Sequence, residues 1–520
     1  MADKPGPSGL ARFARADTLV AAGILASRLS GLVRTTIFSY FFGLQSPAAD
    51  AFNAAVRIPN LLQNLFGEGA LSGSFIPVHA GLRAEGRETE AAQVARTILA
   101  LLTALMAVLV LLGVLATPLL INAIAPGFTG ARRDLAIRLV RILFPAAGVL
   151  VTASWCLGVL NSHGRFLLSY ASGMAWNAGM IGALLIFGPG SPLEHLAVML
   201  AWGSVAGSLL QFAVQAPTAF ALTRGGGRIA LSAPVRRAMR DFLPVMISRG
   251  AVQISGYIDV WIASYLPVGA VTGLQASQLI YTLPVSLFGI SVSAAELPAL
   301  SGNAARAETD ALRARIDAAA ARLAFFVVPS AVAFAALGDI IAGVLLQHGR
   351  FGAEDSQIVW AILAGSSIGL VASTQSRLYS VAHYALGDTK TPLRFAIVRL
   401  TLVTVLGYLC ALVLPARLGI DAIWGTAGLT ASAGVAGWIE FALLRGSLGG
   451  RIGPTGPNAS HLARLWTAAV VAAALAWIAR LTLPPLIPLV RGAIVLPIFG
   501  GAYLGLAALM RVPIPGVRRR

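Results

Sequence analysis

The sequence predicts an all-α membrane protein with many transmembrane helices. Of its 520 residues, 57% are hydrophobic and only 12% are charged, and the mean hydropathy is +0.79. Soluble globular proteins carry about twice this share of charged residues. Long apolar segments follow one another along the whole chain and are separated by short basic loops, which is typical of a multi-pass membrane protein.

Fourteen apolar segments are long enough to cross the ~30 Å hydrocarbon core of a bilayer. Several exceed the minimum and are expected to tilt or to extend into water. The expected spans are residues 18–42, 48–78, 92–124, 134–160, 166–188, 194–222, 242–266, 269–300, 317–346, 357–385, 393–414, 419–444, 463–483 and 488–510.

The chain also shows an internal repeat. Phe128 and Phe351 each precede a long amphiphilic segment, and each lies 36 residues before a turn glycine, Gly164 or Gly387. The two sets are 223 residues apart, and prolines interrupt both the second and the eighth span. These matches predict two pseudo-symmetric six-helix lobes around a central cavity, in parallel orientation, with spans 13 and 14 added after them.

This organisation divides the chain into seven parts. They are a cytoplasmic N-terminal segment, a first lobe with spans 1–6, a cytoplasmic linker, a second lobe with spans 7–12, a cytoplasmic loop, spans 13–14 and a basic tail: residues 1–17, 18–223, 224–241, 242–445, 446–462, 463–510 and 511–520.

The basic residues indicate the orientation. The net charge is +18, and loops on the side of the N-terminus hold about four times as many Lys and Arg as the opposite loops. Both termini are therefore expected in the cytoplasm, and the charge is interpreted as a topology signal with anionic-lipid contact rather than as nucleic-acid binding. The first span is too long for a signal peptide, which predicts a retained helix in a bacterial inner membrane.

Residues 27–78 carry ionisable groups at membrane depth, where a charge costs at least ~2.5–3.5 kcal/mol by insertion scales. If residues 50–68 form one helix, its polar residues share an arc of roughly 80° that faces a wet interior. Pro59 is expected to kink this helix. The polar stripe would comprise Asp50, Asn53, Arg57, Asn60, Asn64 and Glu68.

The arginines of this region suggest an anionic ligand. Arg28 and Arg34 are about one and two-thirds turns apart, so they can face one cavity without touching. Guanidinium groups suit phosphate oxygens, which makes a pyrophosphate head group the natural ligand of Arg28, Arg34 and Arg57, while Asn60 and Asn64 suit sugar hydroxyls or amides. Structural salt bridges are the alternative, although three arginines outnumber the two acids here.

The second lobe offers fewer candidates. Arg249 is the preferred substrate-facing cation, and its alternative role is an ion pair with Asp259 or a bond to a carbonyl. Gln278, Glu296 and Arg377 are further polar groups in apolar spans.

Several motifs resemble one family. They are SRLSGLVR, AADAFNAAVRIPNLL and FGEGALSGSFIPV near the N-terminus, then APGF, the LN–x3–RF pattern from Leu160 to Phe166, and YALGDTKTP. Together they resemble the MurJ (MviN) lipid II flippases of the multidrug/oligosaccharidyl-lipid/polysaccharide exporter superfamily. The resemblance implies a transporter and not an enzyme, which moves a polyprenyl-pyrophosphate sugar by alternating access, with spans 13 and 14 lining a groove for the lipid tail.

The resemblance also implies roles for individual residues. Arg28 and Arg34 match cavity arginines that the family needs for function, and Arg57 matches the basic residue before the PNLL motif. Asp50 matches the acid before AF, and Glu68 matches an acid that the family uses in switching between inward and outward states.

Three departures from the family pattern affect the expected cavity. Gln63 and Asn64 stand where many members have arginine after PNLL, Gln278 replaces an arginine on span 8, and Thr35 replaces an aspartate. Arg249 could compensate, the phosphate could be held differently, or the cargo could be another polyprenyl-linked sugar.

Energy coupling and the alternatives stay open at this point. Span 11 contains no Asp, Asn or Glu, which argues against a sodium site there and favours the membrane potential or protonation of Asp50, Glu68 or Asp259. A multidrug antiporter of the same fold should offer acids and aromatics instead of arginines. An enzyme would need a catalytic or metal constellation, and none is evident. No cofactor or metal is expected. The expected partners are lipid II, membrane lipids and, transiently, the cell wall synthesis machinery, with the protein itself a monomer.

Overall fold

The computed structural model describes residues 7–306, 308–484, 486–513 and 515. Every regular element in these residues is helical, which confirms the predicted fold class. The chain divides into two compact units. In the described residues, the first contains the chain up to Phe42 together with Ser46–Trp261, and the second contains Gly43–Gln45 and the chain from Ile262 onward.

The helices of the first unit follow the predicted spans closely, although several spans are built from two or three helices. They are α1 (Pro7–Phe42), α2 (Pro47–Ala55), α3 (Arg57–Phe66), α4 (Glu68–Ala84), α5 (Glu88–Leu115), α6 (Thr117–Ile124), α7 (Gly130–Ser162), α8 (Phe166–Ala171), α9 (Gly173–Phe187), α10 (Leu193–Leu222) and α11 (Ala233–Ala263). The boundary between the units falls near the end of α11.

The second unit contains the remaining helices and two π-helical turns, Val285–Ile290 and Leu409–Val413. The helices are α12 (Ala270–Pro284), α13 (Ser291–Ala305), α14 (Thr309–Leu346), α15 (Ala353–Ala385), α16 (Lys390–Tyr408), α17 (Leu414–Leu418), α18 (Gly425–Ile452), α19 (Ala459–Thr482) and α20 (Pro488–Leu509).

Eleven helical segments of the described residues are long and apolar enough to cross a membrane. The multi-pass architecture is therefore confirmed, while the number of fourteen spans stays a prediction. The three predicted spans outside these eleven fall on α1, on α2 to α4, and on α11.

Two helices of the predicted repeat match in length and position. Helices α7 and α15 each contain 33 residues, and α15 begins 223 residues after α7. Phe128 and Phe351 precede them and are each 2% exposed. Gly164 and Gly387 follow the helices with φ angles of 70° and 74°, a region that favours glycine because it has no Cβ.

The predicted single helix over residues 50–68 is wrong. The segment consists of α2, α3 and the start of α4. Val56, between α2 and α3, keeps right-handed helical angles, which fits the predicted kink, because the ring of Pro59 clashes with the carbonyl four residues earlier, that of Ala55. Gly67 interrupts the helix before Glu68, with φ and ψ of −89° and −128°. The polar residues do not share one environment, because those of α2 are buried and those of α3 are half-buried or exposed.

A carboxylate fixes the turn between α15 and α16. Asp388 Oδ1 accepts hydrogen bonds from the backbone N–H groups of Lys390 and Thr391, at 3.1 and 3.0 Å. Its Oδ2 lies 2.6 Å from Arg451 Nη2 at the end of α18 and 3.5 Å from Nδ1 of the buried His383. The turn outside the membrane-spanning helices is thus tied to three helix ends.

We expect the stability contributed by Asp388 to depend on pH. The Thr391 hydrogen bonds, and then Arg451, hold the pKa of this carboxyl well below its usual value of about 4. The contribution is complete above that usual value and is lost as the pH falls towards the lowered pKa. The difference in melting temperature between the wild type and Asp388→Asn should therefore be largest at neutral pH and should shrink below about pH 4. A difference that does not change with pH would contradict this assignment.

Candidate functional site

Arg34 of α1 packs against α9, and within the described residues it forms no salt bridge. Its guanidinium carbon is 5.1 Å from the centre of the Trp176 ring, and Nη1 lies 3.8 Å from the sulfur of Met180. One turn earlier on α1, Ser30 Oγ accepts a hydrogen bond of 2.8 Å from Asn177 Nδ2. Side-chain contacts between α1 and α9 therefore fix the part of α1 that carries Arg34. Arg28, six residues earlier on this helix, is exposed.

Trp176 is held in place from the opposite side. Its Nε1–H donates a 3.0 Å hydrogen bond to Ser204 Oγ on α10. Gly207 of α10 lies so close to the Trp176 backbone that a Cβ there would collide with it, which allows α9 and α10 to approach closely. The indole face is thereby fixed towards Arg34, an arrangement in which the ring quadrupole attracts the cation.

Arg57, the first residue of α3, is attached to α11. Its Nη1 donates a 2.9 Å hydrogen bond to the carbonyl of Gly256, and the Tyr257 hydroxyl donates one of 2.8 Å to the carbonyl of Arg57. Asp259, one turn further along α11, lies within electrostatic range of the Arg57 guanidinium. The structure thus brings together two predicted site residues, Arg57 and Asp259. The sequence analysis names Asp259 as a possible partner of Arg249 instead.

The contact between α11 and the second predicted span continues beyond Arg57. The rings of Phe66 and Phe242 are stacked at 6.2 Å. A Cβ on Gly250 would touch Leu65, and one on Gly73 would touch Val245. Within the first unit, α11 therefore runs antiparallel to α3 and also contacts α4.

Asp50 does not face a wet interior, so this part of the sequence prediction is wrong. Its side chain is completely buried, and Oδ2 lies 3.6 Å from Nη1 of Arg132, whose side chain is 12% exposed. The Arg132 guanidinium also stacks on Phe128, at 3.6 Å from the ring centre. This pair joins α2 to the start of α7, and it is the structural salt bridge that the sequence left as the alternative.

The remaining residues of the predicted stripe lie in different environments. Asn53 is 8% exposed, Asn60 is half-buried and Asn64 is exposed. The side chains of Glu68 and Arg249 lie outside the described residues, so their predicted roles stay predictions.

The second unit contains further arginines in its membrane-spanning helices. Glu296 of α13 pairs with Arg315 at 2.5 Å and more loosely with Arg322 at 3.8 Å, both on α14. Arg399 of α16 pairs with Glu440 of α18 at 3.3 Å. Arg377 of α15 is exposed.

Sequence reasoning missed several partners of the site. Trp176, Met180 and Tyr257 were not singled out, although the cluster of small and polar residues in the ninth helix was a visible signal for close helix contacts. Arg132 follows the APGF motif by four residues, but nothing in the motif indicates that it pairs with Asp50. In the described residues, no group of three or more His, Cys, Asp or Glu side chains could hold a metal ion.

Comparisons with known proteins agree on one family. The family model "Lipid II flippase MurJ" matches residues 38–494. A probable lipid II flippase MurJ of Bdellovibrio bacteriovorus is 31% identical over 439 residues, which cover 83% of this chain and 81% of the relative. The lipid II flippase MurJ of Burkholderia cenocepacia is 30% identical over 441 residues, which cover 83% and 82%.

Solved structures show the same fold. A lipid II flippase MurJ in an inward closed conformation has a TM-score of 0.78 at 21% identity, and the match covers 95% of this chain and 98% of that one. An inward-facing multidrug resistance MATE family transporter has a TM-score of 0.66 at 17% identity, covering 82% and 95%. Because the family model matches most of the sequence and curated relatives align over four fifths of their length, this chain belongs to the lipid II flippase MurJ family.

Proposed function

We propose that this protein moves lipid II, the undecaprenyl-pyrophosphate sugar-peptide precursor of peptidoglycan, from the inner to the outer leaflet of the bacterial cytoplasmic membrane. The names of its curated relatives support this cargo, as does membership of the family. The class of cargo is a polyprenyl pyrophosphate that carries a sugar.

The environment of Arg34 is the observation that carries the proposal. Its recorded partners are an indole ring and a thioether sulfur, and neither neutralises its charge. A guanidinium at membrane depth is costly unless it meets an anion during function. A pyrophosphate supplies that anion and suits the planar fork of arginine.

The mechanism follows alternating access. Arg28 and Arg34 capture the pyrophosphate from the cytoplasmic side, with Asn60 and Asn64 at the sugar, while the polyprenyl tail stays in lipid. Arg57 donates a hydrogen bond to the Gly256 carbonyl and lies within electrostatic range of Asp259, so an arriving pyrophosphate competes with α11 for this cation. Release of Arg57 then weakens the contact between α3 and α11, and the lobes change their orientation.

The driving force acts on the charges of this path. The membrane potential provides ~2.3 kcal/mol per elementary charge per 100 mV. Asp259 is the acid best placed to respond to the substrate, because it lies beside Arg57. Glu68 and Asp50 keep their proposed roles in switching, with Asp50 acting through its pair with Arg132.

The remaining features concern topology and the lipid tail. We place both termini in the cytoplasm and treat the protein as a monomer with transient contacts to the cell wall machinery. Helices α19 and α20 would line the tail groove. They are anchored to α14 by Arg480 with Asp339 at 2.7 Å and by hydrogen bonds to the carbonyls of Ala336 and Phe325.

A vesicle assay tests this function. Purified protein is reconstituted into vesicles that contain lipid II, and a membrane-impermeant enzyme that cleaves lipid II is added outside. With an active flippase, cleavage should proceed beyond the outer-leaflet half to nearly all of the lipid II. Cleavage that stops at the outer leaflet, together with uptake of a cationic dye by the same vesicles, would indicate a drug transporter instead.

Trp176 gives a graded prediction for the arginine site. A cation–π contact contributes ~0.5–2 kcal/mol, which corresponds to roughly a twofold to thirtyfold change in affinity. We expect Trp176→Leu to weaken lipid II binding within this range and Trp176→Phe to retain most of the affinity, because phenylalanine keeps an aromatic face. Native mass spectrometry of the detergent-solubilised variants measures this. Equal losses for Leu and Phe would show that the ring only fills space.

A further inference from the structure

A group of polar side chains in the second unit surrounds Tyr281. Its hydroxyl lies 2.9 Å from Ser373 Oγ on α15. Arg377 follows Ser373 by four residues and so shares its face of α15. Gln278 precedes Tyr281 by three residues, is exposed, and donates a 3.2 Å hydrogen bond to Thr282 Oγ1.

Two arginines from different helices act on this tyrosine. Arg377 of α15 and Arg399 of α16 both lie within electrostatic range of the Tyr281 hydroxyl. The Arg399 side chain is 38% exposed and pairs with Glu440 at 3.3 Å. Arg377 is exposed, and no acid is recorded against it in the described residues. The group therefore carries one more positive than negative charge.

The composition of this group suits a phosphate. Two guanidinium groups provide forked donors, and the Tyr281 and Ser373 hydroxyls can turn their O–H groups towards an anion. The group belongs to helices that cross the membrane, where an uncompensated cation is costly. The sequence analysis assigns the missing cation of the second lobe to Arg249, whereas Arg377 and Arg399 lie within electrostatic range of Tyr281, three residues after Gln278 on α12.

We propose that Arg377 and Arg399, together with Tyr281 and Ser373, form a second anion-binding site, which holds the pyrophosphate of a polyprenyl-linked substrate within the second unit. This inference rests on the proposed function for the identity of the substrate. In this site the positive charges belong to α15 and α16, whereas α12 contributes no cation, because Gln278 is a neutral amide.

Binding of undecaprenyl pyrophosphate, compared with uncharged undecaprenol, tests the site directly. A charge-assisted hydrogen bond to an ion corresponds to roughly a tenfold to hundredfold change in affinity. Arg377→Gln should weaken pyrophosphate binding by about this factor and leave undecaprenol binding unchanged. Arg417→Gln, which removes an exposed cation of α17 in the same unit, is the matched control and should have no effect.

Two further variants separate anion binding from folding. Gln278→Arg adds a cation to the same face of α12, so the double variant Arg377→Gln/Gln278→Arg should regain affinity for the pyrophosphate. Arg399→Gln/Glu440→Gln removes the ion pair without leaving a buried acid unpaired, and it should weaken binding as well. Arg87→Gln/Glu90→Gln, an exposed ion pair of the first unit, is its control.

The outcomes are distinct. Unchanged pyrophosphate affinity in Arg377→Gln and in the Arg399 double variant would overturn the site and show that these arginines only reach towards the membrane surface. A loss of pyrophosphate affinity in Arg377→Gln that Gln278→Arg does not restore would also contradict the site, because a positive charge near Tyr281 would then not be enough for binding. If the wild type binds undecaprenyl pyrophosphate through these residues but does not move lipid II in vesicles, the proposed cargo fails and the anion site stands.

Discussion

Arg34→Ala should abolish lipid II transport while the protein stays folded in the membrane. The guanidinium is held by Trp176 and Met180 and is not part of an ion pair with an acid in the described residues. Its removal therefore leaves no buried acid unpaired. The expected effect is weaker binding of the pyrophosphate. Loss of a charge-assisted contact alone corresponds to roughly a tenfold to hundredfold decrease in affinity, and transport needs this contact in every cycle.

The controls separate charge from geometry. Arg34→Lys keeps the charge but loses the planar fork and the favourable stacking on Trp176, so it should restore transport only in part. Arg417→Gln removes an exposed arginine elsewhere and should transport normally. Membrane insertion and the melting temperature of each purified variant are measured alongside. Normal transport by a well-expressed Arg34→Ala variant would show that this arginine is not needed to bind the pyrophosphate.

Asp50→Asn should lower the stability of the first unit strongly. Asp50 is fully buried and paired with Arg132, and removing one partner of a buried pair leaves the other charge uncompensated, at a cost of about 3–5 kcal/mol. The Arg132 cation keeps its contact with Phe128, which offsets only part of the loss. Thermal unfolding of the detergent-solubilised protein measures the effect.

A double variant distinguishes a structural from a coupling role for Asp50. Asp50→Asn/Arg132→Gln removes both charges and should recover much of the stability. A structural pair predicts that transport recovers with it. If Asp50→Asn leaves the melting temperature unchanged yet stops transport, Asp50 acts in energy coupling, as the sequence suggested, and its pairing with Arg132 is incidental.

The course of the helices could be predicted from the sequence because hydrophobic length is a strong signal. Helices α7 and α15 begin and end close to the predicted spans and keep the predicted offset. The turn glycines after them were also identifiable, since Gly164 and Gly387 both have positive φ angles. Residue periodicity and turn chemistry are local properties and can be read without knowing the partners.

The interior of the second predicted span could not be predicted in this way. The stripe from Asp50 to Glu68 requires one continuous helix, but Gly67 interrupts the helix before Glu68. The kink at Pro59 is predictable from the sequence, but it does not show which side chains face Asp50. Its burial against Arg132 depends on a helix more than 70 residues away in the sequence, which no local pattern specifies.

The partners of the arginines were equally inaccessible from the sequence. Arg34 was recognised through its motif, but the motif contains nothing about Trp176 on α9. Arg57 was expected at the ligand, and the structure adds Gly256 and Asp259 of α11 as its neighbours. Such contacts arise from tertiary packing. The sequence therefore identifies the arginines, and the structure identifies the residues that contact them.

Transport of lipid II across the membrane can be tested in cells. The most direct measurement expresses the chain in bacteria depleted of their own lipid II flippase and quantifies the lipid II that a degrading enzyme can reach from outside the cell. The wild type should restore this accessibility. Lipid II that stays inaccessible, although the wild type is inserted and stable, would contradict the proposed function.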